Sequence, residues 1–154
     1  MGRLEREIKQ GRPLRLEARV FLNLLRTTAG LARGEAELLR AHGLSGPQYN
    51  VLRILRGAPP DGLSCGEIVD RMIARDPDVT RLLDRLERAG LVGRRRSAKD
   101  RRVVTAHITA KGVDLLELLD KPLDERLRRE LAHVPRSALR RLNALLETAR
   151  ASER

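Results

Sequence analysis

Apolar residues recur along this chain mostly at the three- to four-residue spacing of amphipathic helices. The clearest stripe lies in the middle of the sequence and consists of Val79, Leu82, Leu83 and Leu86. It predicts a short helix with Asp76 as its N-cap and Pro77 at its first position, where the missing N–H costs nothing. Gly90 supplies the left-handed residue that ends such a helix.

Two segments rich in β-forming residues follow this helix, at 91–96 and 102–108. The residues between them, 97–101, are small or charged and suit a solvent-facing turn. The pattern therefore predicts a short helix followed by an antiparallel hairpin, which is the outline of a winged helix.

One long apolar stripe dominates the first third of the chain and predicts a helix from Leu14 to about His42. Gly43 closes this helix. Residues 1–13 are polar and basic, and we interpret them as a loose arm or a short preliminary helix.

Two capping boxes mark the starts of the next two helices, because Ser45 and Ser64 each precede a Gln or Glu by three residues. The Pro- and Gly-rich segment 57–62 separates these helices as a turn. We expect the second of them to reach about Arg75, so that only a tight turn separates it from the central helix. Two short helices joined in this way form a helix-turn-helix, whose second member enters the major groove of DNA.

The remainder of the chain predicts further helices. Thr109 is expected to cap one that Pro122 kinks or interrupts, and Pro135 marks the start of the last. The total is about six helices, with a small antiparallel β-hairpin wing between the fourth and the fifth. The predicted fold class is therefore mainly α, a winged helix-turn-helix.

Leucine-rich faces on the terminal helices have too few partners within the chain. They bury either against a second copy or by folding back on the middle of the chain, and a two-fold dimer is the more economical solution. We expect one intertwined domain, with an N-terminal arm and dimerisation helix at 1–44, a winged helix-turn-helix lobe at 45–108 and C-terminal dimerisation helices at 109–154. The residues expected at the dimer contact are Leu14, Val20, Leu24, Leu127, Leu131, Leu139, Leu142, Leu145 and Leu146.

The charge balance adds a functional hypothesis to this fold. Lys and Arg total 32 against 21 Asp and Glu, a formal net charge of +11. Such an excess favours a polyanionic partner, because neutralised phosphates release their counterions. A protein that binds an anionic membrane surface, or one that simply exposes a basic face to solvent, could have the same excess of Lys and Arg.

The low numbers of aromatic residues and cysteines limit the possible partners and the compartment of the protein. One Phe and one Tyr are too few to stack unpaired bases, which favours duplex DNA over single strands or RNA. The single cysteine, Cys65, excludes an internal disulfide and fits a reducing compartment. No secretory leader and no run of about 18 apolar residues occurs, so we expect a soluble, cytoplasmic protein without membrane contact.

The polar side of the central helix carries the expected base readers, which are Thr80, Arg81 and Arg85. Arginine is the commonest bidentate partner of guanine, and threonine can bond to a base edge or contact a thymine methyl. Asp78 either accepts a hydrogen bond from the N4 amino group of cytosine or stabilises the helix dipole, and we favour the dipole. Asp84 is expected to pair with Arg88 one turn further on.

The predicted hairpin is strongly basic, which suits the negative potential of a minor groove. Arg94 and Arg96 share one face of an alternating strand, and we expect Asp100 to orient a neighbouring arginine. A solvated charge run is the alternative interpretation. The complete set of expected DNA contacts is Pro77, Asp78, Thr80, Arg81, Asp84, Arg85, Arg94, Arg96, Ser97, Lys99, Asp100, Arg101 and Arg102.

Five motifs occur in a specific order and spacing: LSGPQYNVL at 44–52, VTRLLDRLE at 79–87, GLV at 90–92, DRR at 100–102 and ITAKG at 108–112. With them, the chain from 14 to 150 resembles the multiple-antibiotic-resistance regulator (MarR) family of bacterial winged-helix repressors. The resemblance implies a dimer with interlocked terminal helices. It also implies that Thr80 and Arg81 lie in the major groove and Arg101, at the wing tip, in the minor groove.

The same resemblance implies a small-molecule effector that binds in a crevice between the dimerisation helices and the DNA-binding lobe. Here the walls would be the helix that ends near His42 and the helices that begin after Ser45 and Thr109, but no residue identifies the ligand. The function expected is therefore that of a transcriptional regulator of a pseudo-palindromic operator, a repressor released by its effector.

Several other functions compete with this one. An architectural DNA-binding protein that does not switch would have nearly the same sequence. A redox-responsive regulator would use Cys65 at its helix start, and a metal-responsive one would need paired histidines, whereas the three present are scattered and His42 can bond to terminal carbonyls instead. No phosphate-binding loop and no catalytic constellation is recognisable, so we expect neither an enzyme nor a cofactor.

Overall fold

The computed structural model describes residues 2–74, 78–97 and 100–151. Within these residues seven helices and three strands follow one another: α1 (Arg3–Glu7), α2 (Leu16–Ala41), α3 (Gly46–Arg56), β1 (Leu63–Ser64), α4 (Cys65–Arg71), α5 (Val79–Arg88), β2 (Val92–Arg96), β3 (Val104–Ile108), α6 (Ala110–Glu130) and α7 (Arg136–Arg150). The mainly α winged helix-turn-helix is confirmed. The preliminary helix forms as α1, which brings the number of helices to seven.

The sheet has three antiparallel strands in the order β1-β3-β2, where the sequence predicts only the hairpin of β2 and β3. The hairpin register places Arg94 opposite Ala106. On the other side of β3, Leu63 of β1 also pairs with Ala106. Gly62 has a φ of +76°, and a Cβ at this position would collide with the carbonyl oxygen of Ala106. A two-residue strand has no detectable period, so β1 could not be predicted from the alternation of residues.

The helix caps predicted at Ser45, Ser64 and Thr109 are confirmed. Ser45 Oγ accepts from the N–H of Gln48 at 3.3 Å, and the side chain of Gln48 accepts from the N–H of Ser45 at 2.9 Å. Ser64 and Glu67 form the second capping box, in which the N–H of Ser64 donates to the carboxylate and lowers the pKa of Glu67. Thr109 caps α6. These bonds satisfy main-chain groups that a helix end would otherwise leave unpaired.

The connection inside the helix-turn-helix differs from the prediction at both ends. α4 ends at Arg71 rather than near Arg75, and Met72 has an extended backbone. The N–H of Ile73 donates to the side chain of Asn50 at 3.0 Å instead of continuing the helix, and Ile73 is 82% exposed. α5 begins at Val79, after an N-cap at residue 78, whereas the predicted cap and first position, 76 and 77, lie outside the described residues.

Pro122 is expected to kink or interrupt its helix, and the interruption does not occur, because α6 runs from Ala110 to Glu130 with Pro122 inside it. A proline within a helix costs about 3 kcal/mol. On either side of it, however, Leu116, Leu119 and Leu123 are buried in the core, and each contributes roughly 1.5–3 kcal/mol. Packing therefore outweighs the lost hydrogen bond.

The hydrophobic core lies where α3, α5, the sheet and α6 meet. All four apolar stripe residues of α5 are buried in it, as predicted. Leu39 of α2 and the three buried leucines of α6 belong to the same cluster. The packing that holds α5 in place therefore also joins the lobe to both flanking helices.

Candidate nucleic-acid interface

The outward side of α5 carries the three expected base readers. Thr80, Arg81 and Arg85 are all exposed, while the leucines on the opposite side anchor the helix. Asp78, at the N-cap position, lies 3.2 Å from Nε of Arg81 and forms an i, i+3 ion pair. This carboxylate thus accompanies a base reader at the helix start, where its negative charge also suits the helix dipole.

Arg94 and Asp84 come together, although the sequence predicts that each contacts DNA and that Asp84 pairs with Arg88. Nη2 of Arg94 lies 2.7 Å from Oδ1 of Asp84, so the predicted partner is wrong. The strand register explains this, because β2 runs beside α5 and Arg94 stands on the strand face that meets the helix. The next residue, Arg95, points the other way and donates to the carbonyl of Pro60.

Hydrogen bonds join the described residues on the two sides of the wing tip. The N–H of Ser97 donates to the carbonyl of Val103 at 2.8 Å. Asp100 accepts from the N–H of Arg102 at 2.9 Å through its carboxylate. The predicted orienting role of Asp100 therefore acts on the backbone of an arginine and not on its guanidinium, in the manner of an Asx turn.

Three wing arginines, Arg96, Arg101 and Arg102, present their side chains to solvent. Nη1 of Arg96 donates to the carbonyl of Arg101 at 3.2 Å, which ties the end of β2 to the tip. Two members of the expected DNA-contacting set, Pro77 and Lys99, lie outside the described residues. The structure thus brings the described readers of α5 and the cations of the wing to one lobe.

The lobe meets α6 through an ion pair that the sequence did not suggest. Both Nη atoms of Arg56, at the end of α3, bond to the carboxylate of Asp120, at 2.7 and 3.1 Å, and this hydrogen bonding raises the pKa of Arg56. Nearby, burial raises the pKa of Tyr49, and Arg53 lies over its ring at 5.8 Å. Arg56 and Asp120 are 64 residues apart in the sequence, so no local pattern could have revealed their ion pair.

Cys65 occupies the first position of α4, as expected, but it is exposed rather than packed in the core, and its Sγ lies 3.7 Å from Oγ1 of Thr80. Nδ1 of His42 lies 3.1 Å from the carbonyl of Leu38, which confirms the predicted contact with a terminal carbonyl. In the described part of the chain, no group of three or more His, Cys, Asp or Glu side chains is arranged to hold a metal ion.

The leucine-rich faces of the terminal helices remain uncovered in the single chain. No residue of α7 is buried, so this helix does not fold back on the lobe. Exposure reaches 51% at Val20, 47% at Leu142 and 58% at Leu145. Of the remaining predicted dimer-contact residues, those that are also exposed are Leu24 and Leu127, and those that are partly exposed are Leu14, Leu131, Leu139 and Leu146.

A helix-turn-helix whose second helix is followed by a basic hairpin defines the class: this is a winged-helix DNA-binding fold. A family model described as the MarR family matches residues 42–103. A MarR transcription factor from Planctomyces limnophilus, whose structure is known, is 38% identical with a TM-score of 0.67, over 89% of this chain and 99% of that one. The chain belongs to the MarR family.

Two further relatives place the chain more broadly. The HTH-type transcriptional regulator TtmR of Methylorubrum extorquens is 34% identical over 108 residues, which are 70% of this chain and 54% of that protein. This chain therefore spans about half the length of that relative. CouR from Rhodococcus jostii, solved with p-coumaroyl-CoA bound, has 22% identity and a TM-score of 0.74 over 89% of this chain and 95% of that one, a likeness of fold alone.

None of the helices in the described ranges is both long enough and apolar enough to cross a membrane.

Proposed function

We propose that this protein is a cytoplasmic, non-enzymatic regulator of transcription that binds duplex DNA sequence-specifically and represses until a small molecule releases it. The observation that carries the proposal is the pairing, on one lobe, of an exposed reading face on α5 with a basic wing beside it. Membership of the MarR family supports the same function.

DNA binding would divide between the two elements. Thr80, Arg81 and Arg85 stand on the exposed side of α5, and side chains of these types read base edges in the major groove. The wing cations, Arg101 above all, would enter the adjacent minor groove, whose negative potential attracts arginine. Buried leucines behind α5 hold the readers in place, so that little ordering remains to be done on binding.

A homodimer would bring two such lobes to one operator. The exposed leucine faces of α2, α6 and α7 form the apolar surface that a second copy can bury. Two-fold symmetry then predicts a pseudo-palindromic operator whose half-sites lie about one helical turn, or a multiple of it, apart.

An effector would act at the junction of the lobe with α2 and α6. The Arg56–Asp120 ion pair joins α3 to α6 at this junction, so a ligand that bound there would change the angle between lobe and dimerisation helices. The ligand found in CouR supports a small organic molecule as effector. A screen of small molecules for release of bound DNA would identify it, and a ligand that binds the protein without changing DNA affinity would not be the effector.

Selection from a pool of random duplexes, followed by hydroxyl-radical footprinting upstream of the protein's own gene, tests the function. We expect one recovered pseudo-palindrome and a short protected region that contains it. Uniform protection without a preferred sequence would contradict the proposal and favour an architectural protein instead.

The Arg101→Ala variant should bind the selected duplex more weakly and with a smaller salt dependence. Each phosphate contact contributes about 0.9 to the slope of log affinity against log salt, so we expect the slope to fall by about 1. The substitution retains the carbonyl that accepts from Arg96, so the turn keeps that bond. Arg128→Ala removes the same charge from α6, where Arg128 pairs with Asp124, and serves as the control. An unchanged slope for Arg101→Ala would contradict the wing assignment.

A further inference from the structure

The side chain of Arg94 reaches across from the wing to three acceptors on α5. Besides the Asp84 carboxylate, Nη2 donates to the carbonyl oxygen of Thr80 at 3.3 Å, and Nη1 lies 3.6 Å from Oε2 of Glu87. These positions follow one another at i, i+4 and i+7, so they form one stripe of the helix. Only 26% of the Arg94 side chain is exposed.

We propose that Arg94 and Asp84 are a positioning pair, which sets the wing relative to α5, and that neither contacts DNA. The proposal rests on the proposed DNA-binding function, because it concerns the distance between the two groove-binding elements of that site. It reassigns two residues that their charge and position in the sequence predict as DNA contacts.

The Arg94–Asp84 pair connects the wing to α5, which a contact between Arg94 and a DNA phosphate would not do. α5 and β2 are separated only by residues 89–91, where the N–H of Leu91 donates to the carbonyl of Leu86. Arg94 adds a second connection further along the strand, and its bond to the carbonyl of Thr80 reaches the first turn of α5. A base reader of the major groove and the arm that enters the minor groove are thereby linked through one guanidinium.

Charge-assisted hydrogen bonds of this kind are short and directional. To bind a phosphate, Arg94 would have to give up the Asp84 contact and leave a carboxylate beside the polyanion. Arg101 and Arg102 carry no such cost, because their side chains face solvent, and Arg96, which donates to the carbonyl of Arg101, would leave no carboxylate behind. Among the wing arginines, Arg94 would therefore hold the wing against α5, while Arg101 and Arg102 remain available to the DNA.

The Asp84→Asn variant separates the two roles by the sign of its effect. If Asp84 were only a charge near DNA, its neutralisation would reduce repulsion and tighten binding of the selected duplex. A positioning role requires the opposite result, since the wing loses its anchor. We expect binding to weaken roughly five-fold or more, with loss of hydroxyl-radical protection in the minor groove at the wing while the major-groove contacts of α5 persist.

A double-mutant cycle completes the test with Arg94→Gln and the combined Asp84→Asn/Arg94→Gln variant. For a positioning pair the combined loss should be close to that of Arg94→Gln alone, because this variant already removes the contact with Asp84, whereas independent contacts would add. Arg95→Gln is the matched control, because it removes the same charge from the neighbouring wing position, whose side chain points to Pro60. Tighter binding of Asp84→Asn, or additive losses, would overturn the inference.

Two measurements keep the outcome distinct from folding and from the proposed function. Circular dichroism and thermal unfolding establish that each variant is folded. Amide NMR shifts of the free protein should move throughout the wing and along the facing side of α5 for Asp84→Asn, whereas Arg95→Gln should move only those of its immediate neighbours and of the segment around Pro60. Unmoved wing shifts would count against the pair. Failure of the proposed function would appear elsewhere, as the absence of any selected sequence for the wild-type chain.

Discussion

Replacing Leu142 and Leu145 by glutamate should convert a dimer into single chains and abolish tight operator binding. Both leucines are exposed on α7, so two added charges leave the core intact but prevent the burial of the leucine face against a second copy. Because a linked second lobe raises affinity by about 10²–10⁴, we expect a loss of that order. Light scattering would measure the mass, and titration of the selected duplex would measure the affinity.

Glutamate at Ser137 and Ala144 provides the matched control. At 100° per residue these positions lie on the side of α7 opposite the leucines, and both are exposed. This variant carries the same added charge and should keep the mass and affinity of the wild type. A Leu142→Glu/Leu145→Glu protein that retains the mass of two chains would show that the dimer is built from another surface.

The Arg81→Ala variant should lose affinity for the selected operator and, more importantly, lose discrimination at one base pair in each half-site. A bidentate arginine–guanine contact is worth about 1–3 kcal/mol, so we expect roughly a 5- to 150-fold weaker complex with that operator. Binding to duplexes of random sequence should fall much less. Repeating the selection with the variant would show the relaxed position directly.

Two further variants separate reading from structure at Arg81. Arg81→Lys keeps the charge but not the planar fork, so it should retain phosphate-type attraction and still lose the base preference. Asp78→Asn removes the carboxylate 3.2 Å from Arg81 and leaves the guanidinium in place, so the preferred base should stay the same. An unchanged preference in Arg81→Ala would mean that Arg81 meets the backbone rather than a base.

Local signals in the sequence predicted much of the lobe. Ser45 and Ser64 mark helix starts because their capping hydrogen bonds are made to residues only three positions away. The buried face of α5 was predictable from the spacing of its apolar residues. Contacts between distant residues were not predictable. The Arg56–Asp120 pair and the short strand β1 depend on how elements meet in space, and no spacing along the chain records that.

In the candidate site, too, features set by the local sequence were predictable and contacts between distant residues were not. Thr80, Arg81 and Arg85 are exposed as expected, because the buried stripe of α5 determines which side faces solvent. For Arg94 the sequence holds no such signal: a wing arginine is indistinguishable in sequence from its neighbours, and only the register of β2 beside α5 places it against Asp84. The interruption predicted at Pro122 does not occur for a related reason. The energetic penalty of the proline is visible in the local sequence, whereas the core packing of α6 that overcomes it is not.

Because α6 is one continuous helix, a small tilt at one end produces a large displacement at the other. Its 21 residues span about 31 Å at 1.5 Å per residue, with one half packed in the core of the lobe and the other carrying the exposed Leu127. A tilt of about 5° along that length displaces the far end by about 3 Å, close to the roughly 3.4 Å separation of neighbouring base pairs. In the proposed dimer, a small rotation between the two copies would therefore suffice to move one reading helix out of step with its half-site.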